Sequence, residues 1–296
     1  MAGRTDGGGT DGGGAAGGRA SGDPTGRGAA ETLRALDAEI VACRACPRLV
    51  AWREEAARTK VARFAADDYW GRPVPGFGDP GARVLVVGLA PAAHGGNRTG
   101  RVFTGDRSGD VLFAALHRAG YASQATSTAR GDGLSLADCR VAAAVRCAPP
   151  VNRPTPAERD RCLPYLVREI AALPRLRVVV ALGAFGWDAA LRALAARGWA
   201  SRPRPRFGHG AEATVGPVSL LGCYHPSQQN TFTGRVTPAM IDTVLVGARA
   251  LADGPPGGEA TSGPQGHQGG PSVSVAASGQ PGAEGGGGGG GGPAVG

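Results

Sequence analysis

The order of apolar runs in this chain predicts an α/β domain, a parallel sheet with helices packed on both faces. Three observations carry that reading. Four short apolar runs, at residues 83–88, 139–145, 176–182 and 218–224, have the length and composition of buried strands. The segments between them hold runs of ten or more residues with helical spacing, which makes crossover connections and aligns the strands in one direction. One connection, residues 88–110, is far longer than packing needs. Ligands of open parallel sheets bind outside the carboxyl ends of the strands, so the loops after strands one, two and four are expected to face one cleft.

In chain order, residues 30–41 place Leu33, Leu36, Ile40 and Val41 on one helical face, and residues 49–61 continue as a second amphipathic helix after Pro47. A CxxC pair, Cys43 and Cys46, sits between them. Residues 64–82 are aromatic and rich in turn formers, an irregular lead into the first strand. The long loop follows, then a helix at 111–119. A Gly, Ser and Thr-rich excursion at 121–137 leads to the second strand. Pro149, Pro150, Pro154 and Pro156 mark a stiff loop, and Thr155 or Pro156 opens a helix running to about 173. After the third strand comes a helix at 185–197, then a basic turn-rich segment at 202–210, the fourth strand, and a last helix at 236–252 starting beside Pro238.

Composition sets the limits of the domain. Of the 52 glycines, 12 fall in residues 1–30 and 18 in residues 251–296, so the ends are a different material from the middle. Glycine runs bury nothing that offsets the entropy of ordering, and residues 1–29 and 253–296 read as tails around one domain at 30–252. The formal net charge is +8, and Lys60 is the only lysine. A surplus of guanidinium suits an anionic partner, although a bias this complete also fits the coding composition of the organism. No apolar run reaches the roughly 20 residues of a membrane span and the N-terminus lacks a signal-peptide core, so a cytoplasmic, nucleoid-associated protein without membrane contact is expected, working as a monomer.

Chemistry concentrates in two places. The loop 88–110, GLAPAAHGGNRTGRVFTGDRSGD, holds roughly 20 residues where strand-to-helix connections usually take about 2 to 6. It offers small residues for close approach, including Ala90, one aromatic, Phe103, and acids at Asp106 and Asp110. The second place is a set of four cysteines. Cys43 and Cys46 are joined by Cys147 and Cys162, which have 14 residues between them and stand in the proline loop and the helix after it. Four thiolates from two segments suit one metal centre, zinc or an iron–sulfur cluster, and spacing alone does not choose between them. Cys139 and Cys223 lie on strands, where a small core hydrophobe is the expected role.

These motifs, with YHPSQQNTFTGRVTP after strand four, resemble the family 5 uracil-DNA glycosylases, over about residues 30–250. The resemblance implies a three-layer α/β/α fold around a central four-stranded parallel sheet, a [4Fe-4S] cluster on Cys43, Cys46, Cys147 and Cys162 that ties down the N-terminal helices, and hydrolysis of the N-glycosidic bond of uracil and other deaminated bases, such as hypoxanthine and xanthine, in DNA. It assigns leaving-group stabilisation to His225, with Asp106 and Asn97 as the remaining catalytic candidates. Gly88, Ala90 and Phe103 would receive the base, Phe103 by stacking. Ser227, Gln228, Asn230 and Arg235 would hold backbone phosphates, and Phe232 would wedge into the gap left by a flipped nucleotide. Asp106 also stands where a helix N-cap is expected.

Two departures from the wider superfamily matter. Its members mostly carry a water-activating acid or amide where this chain has Ala90, and alanine there is the pattern of family 5. Related enzymes often read the base edge with an asparagine on strand two, where this chain has Ala142, Ala143 and Ala144. Two other readings remain at this stage: a family 4-like uracil-DNA glycosylase, and a non-enzymatic iron–sulfur DNA-binding protein.

Overall fold

The structure, a computed structural model, describes residues 24–254. The expected tails, 1–29 and 253–296, therefore lie almost wholly outside the described residues. Helix α1 spans Pro24–Ala42, so it begins six residues before the expected boundary at 30. Helix α2, Pro47–Thr59, uses Pro47 as its first residue, where the missing N–H costs nothing.

The sheet has six strands and is mixed, not the four-stranded parallel sheet expected. The four strands read from the sequence are present: β2 (Val84–Gly88), β3 (Cys139–Ala143), β4 (Val178–Leu182) and β6 (Val218–Cys223). They pair in parallel in the order β3-β2-β4-β6. Two short antiparallel strands extend the edges, β1 (Phe77–Gly78) against β3 and β5 (Glu212–Val215) against β6. Neither could announce itself by an apolar run, since β1 has two residues and β5 is largely exposed.

Side chains of the central strands alternate between two cores, as the period of a pleated strand requires. Val84 and Val86 of β2 face one core, which contains Leu112, Phe113 and Leu116 of α4 (Arg107–Arg118) and Ile241, Val244 and Leu245 of α8 (Pro238–Asp253). Leu85 and Val87 face the other, with Leu33, Leu36 and Ile40 of α1, Leu166 and Ile170 of α5 (Pro156–Ala171) and Trp187, Leu191 and Leu194 of α6 (Gly183–Ala196). Each such fully buried aliphatic side chain contributes about 1.5–3 kcal/mol. Cys139 and Cys223 are buried in the first core. Helix starts are fixed by side-chain caps: Thr155 and Glu158 form a reciprocal capping box on α5, and Thr237 accepts from the Met240 N–H on α8.

The connection β2 to β3 runs to one side and β4 to β6 to the other, so the topological switch lies between β2 and β4. A crevice at the carboxyl ends is the geometric result. The loop after β2 enters it. That loop contains a short helix, α3 (Gly96–Thr99), and ends at α4, which begins four residues earlier than its apolar run suggests. The 121–137 excursion folds back on itself through a bridge between Ala122 and Leu136. Among the described residues no helix is long and apolar enough to cross a membrane.

Helix α6 packs on β2 through Gly186, where an added Cβ would lie 2.7 Å from the Val87 carbonyl oxygen. Gly186→Ala is expected to destabilise the domain by about 1–3 kcal/mol, because two backbones must separate to admit one methyl. Chemical denaturation of the two proteins checks this through the midpoint at unchanged m-value.

Candidate active site

A pocket of about 220 Å³ opens at the carboxyl edge of the sheet. Three loops build it: Ala90, Phe103 and Asp106 come from the loop after β2, Asn152 from the loop after β3, and His225 and Ser227 from the loop after β6. The β2–β3 ladder extends past both strand ends, with the Val145 N–H donating to the Leu89 carbonyl (3.0 Å), so the floor near Ala90 is an extension of the sheet. Beside the pocket runs an open groove of about 970 Å³. Asp106 and Asn152 line both, so the pocket is a side chamber of the groove.

Phe103 owes its place to Gly88. A Cβ at residue 88 would sit 2.5 Å from Cε2 and Cζ of the Phe103 ring, so the ring rests directly on the end of β2. Its backbone lies in the left-handed region at φ 51°, which bulky residues rarely adopt. The other side of the ring neighbourhood is His225, 5.8 Å away between centroids and tilted by 34°. Phe103 is thus buried against the sheet and still contributes pocket wall.

His225 is part-buried, and burial pushes its pKa down to about 4. At neutral pH it is an uncharged imidazole. Among the described residues no side chain or backbone group hydrogen-bonds its ring, while its carbonyl accepts from Asn230 Nδ2 (2.9 Å). A neutral ring held by its backbone, with its nitrogens uncommitted, is available to donate to a carbonyl oxygen of a planar ligand.

Asp106 has two engagements at once. Its Oδ1 accepts from the Gly109 N–H (3.0 Å) as the N-cap of α4, and its carboxylate borders pocket and groove. Burial raises its pKa above the ordinary value, with the cap hydrogen bonds opposing. A Cβ at Gly95 would overlap this carboxylate, so glycine is required there.

Asn97 is placed elsewhere. It is 0% exposed, lines neither cavity, and donates through Nδ2 to the Arg53 carbonyl (3.1 Å), docking α3 onto α2. Of the proposed phosphate grips, Ser227 lines the pocket and N-caps α7 (Gln228–Phe232) through the Asn230 N–H. Gln228 lines the groove, Asn230 braces His225, and Arg235 lies over the Tyr224 ring outside both cavities. Phe232 lines the groove with 77% of its surface exposed. Asn152 was not singled out in the sequence. It follows Val151 in a turn where both residues have positive φ, 48° and 55°, and Val151, also 77% exposed, stands on the groove. Only its position in a proline loop at the sheet's carboxyl edge signalled it.

Cys43, Cys46, Cys147 and Cys162 line one narrow void behind the pocket. Among the described residues no group of three or more Cys, His, Asp or Glu side chains closes on a point that would hold a metal ion. Arg53 and Arg146 share the void and have buried N–H groups without partners, Nε of Arg53 and Nε and Nη1 of Arg146. Buried donors beside four sulfurs fit an anionic occupant.

A small chamber with an aromatic wall opens off a groove at the switch point of an α/β sheet, a shape that can enclose one planar ring of a longer ligand. The chain belongs to the uracil DNA glycosylase superfamily, whose family model matches residues 75–246, and its relatives place it in the type-5 branch. Relatives named Type-5 uracil-DNA glycosylase include one from Mycobacterium tuberculosis, 56% identical over 227 residues, 76% of this chain and 84% of the relative. Another, from Thermus thermophilus, is 51% identical over 214 residues, 72% and 95% of the two chains. A Type-4 uracil-DNA glycosylase from Pyrobaculum aerophilum is 35% identical over 157 residues, covering 52% of this chain and 71% of the relative.

The His225 shift has a defined stability consequence. Its pKa falls from the ordinary 6.5 to about 4 on folding, so between these values the unfolded chain binds more protons. Stability from this group is complete above pH 6.5 and is lost as pH falls through the window toward 4. Denaturation midpoints of the parent and His225→Gln should therefore converge as pH drops from 7 to about 4.5, and NMR of the ring should show it uncharged at pH 6.

Proposed function

We infer that the chain is a DNA-repair glycosylase that hydrolyses the N-glycosidic bond of uracil in DNA and leaves an abasic site. The observation that carries this is the pairing of a neutral His225 with Phe103 in a pocket whose nearest small position is Ala90. In the reaction the bond between C1′ and the base nitrogen breaks with its electron pair leaving on the base, water adds its oxygen to C1′, and the water proton is released. Phe103 stacks on the extruded base. His225 donates a hydrogen bond to a base carbonyl oxygen as negative charge grows there, and a neutral donor avoids the cost of a buried cation in the ground state. No carboxylate at residue 90 repels the outgoing anion. Asp106, the nearest acid, stabilises the cationic sugar and orients water.

The groove receives the DNA, with Val151 and Phe232 as exposed apolar tips to fill the space the base vacates. Without an asparagine among Ala142, Ala143 and Ala144 the pocket reads the base edge weakly, which supports acceptance of hypoxanthine and xanthine. Cys43, Cys46, Cys147 and Cys162 hold a [4Fe-4S] cluster. When bound, the cluster supplies a cross-link between the α1–α2 turn and the β3–α5 region, and the chain's own residues do the chemistry.

His225→Ala is expected to slow single-turnover uracil release from a labelled oligonucleotide by about 10²–10³, the loss typical of one preorganised donor, with DNA affinity little changed. Asp106→Asn keeps the cap, since Asn caps as well as Asp, and should slow the same step through charge alone. A parent protein that binds uracil-containing DNA without releasing base would make it a binding protein. Phe232→Ala should weaken the extruded complex, read with a fluorescent base analogue at the target site. Protein purified without oxygen should be brown and contain iron, and stoichiometric zinc without iron would remove the cluster.

A further inference from the structure

The void between the four cysteines is flanked by two guanidiniums taken fully out of water. Arg53 is 2% exposed and Arg146 1%. Burying a cation costs several kcal/mol unless a counter-charge and hydrogen bonds offset it. Among the described residues the Arg146 guanidinium has one hydrogen-bond partner, Glu169, which accepts from its Nη2, and Glu169 also accepts from Arg140 Nε (2.6 Å). Arg140 reaches Asp37 as well (3.2 Å), a carboxyl that burial raises to about 6. Arg53 donates from Nη1 to Cys147 Sγ (2.9 Å) and from both Nη atoms to the Cys43 carbonyl (3.2 Å), and the half-exposed Glu54 carboxylate stands 3.8 Å from its Nη2.

The local inventory is unbalanced. Three buried guanidiniums, Arg53, Arg140 and Arg146, face the buried Glu169 and the part-buried Asp37, while Glu54 is half-exposed and already ion-paired with Arg44. Three N–H groups of Arg53 and Arg146 have no acceptor. Orphaned donors on buried cations point to an anion that completes them, and both arginines line the void that the four sulfurs border.

We propose that Arg53 and Arg146 are the counter-charges of the thiolate-held centre, positioning residues that make a buried dianionic cluster tolerable. The proposal rests on the cluster reading above. Four thiolates carry −4 and an oxidised [4Fe-4S] core +2, and the two guanidiniums offset part of the remaining −2, since Arg146 is also paired with Glu169. Arg53 is the closer of the two in function, because its hydrogen bond to Cys147 Sγ donates directly to a ligating atom. Hydrogen bonds to cluster sulfurs and nearby positive charge raise the reduction potential, since reduction adds negative charge.

The test uses the full chain prepared without oxygen, as the parent, Arg53→Met, Arg146→Met and Arg53→Lys. Methionine keeps apolar bulk and removes the charge, and lysine restores a cation. Each methionine variant should lose iron to a chelator about tenfold faster than the parent, the effect of one charge-assisted hydrogen bond. Each should also show a lower midpoint potential, and Arg53→Lys should recover most of both properties. Should Arg53→Met not fold, Arg146→Met and Arg53→Lys decide through the potential alone. Folded methionine variants with parental potential and iron loss would overturn the assignment while leaving the cluster in place. A parent without iron would overturn cluster and counter-charges together.

Discussion

The site depends on one steric condition, the absence of a side chain at residue 88. With a Cβ there the Phe103 ring would be displaced from the end of β2, and the ring is the wall against which His225 is set. Everything the loop after β2 presents is registered from that contact. Phe103 takes up a left-handed backbone conformation to make it, at a cost of order 1–3 kcal/mol that the surrounding packing must offset. Gly109 adds a second condition of the same kind, since a Cβ there would overlap the Phe103 carbonyl. Loop, strand end and the first turn of α4 are therefore one unit.

Behind this unit lies a polar interior that is unusual for a small domain. Arg140, Arg146 and Glu169 are buried next to one another between β3 and α5, and such clusters rarely repay their desolvation by Coulomb attraction alone. What they do is fix position. Helix α2, with Arg53 on one side toward the cysteines and its backbone carbonyl given to Asn97, stands between the void and the loop of the pocket. A disturbance of the cysteines has a direct route of packed groups to Ala92 and Ala93, whose carbonyls are bonded by the Asn97 amides.

The central strands were legible because Val, Leu and Ile runs leave few alternatives, and the cleft followed from their parallel order. The edge strands were not, because β1 and β5 are held by pairing with a neighbour and by little side-chain burial. Within the site, Phe103, Asp106, His225 and Ser227 meet in the pocket, and the motifs around them were visible as departures from packing needs. Asn97 shows the limit of such reading: a polar residue in a functional loop has a direction that its letter does not give, and here the amide turns inward to Arg53. Asn152 shows the converse, since a turn with two positive φ values aims a side chain that neither propensity nor spacing singles out.

The near-exclusive use of arginine has a chemical outcome beyond charge. The abasic sugar left by base removal opens to an aldehyde at C1′, and strand cleavage by β-elimination starts when an amine condenses with that carbonyl. Guanidinium groups are too weakly nucleophilic to do so at neutral pH, and the only lysine, Lys60, lies outside pocket and groove with Nζ donating to the Ala65 carbonyl. Among the described residues no lysine lines the pocket or the groove, so no lysine amine is placed there to form an imine with the opened sugar.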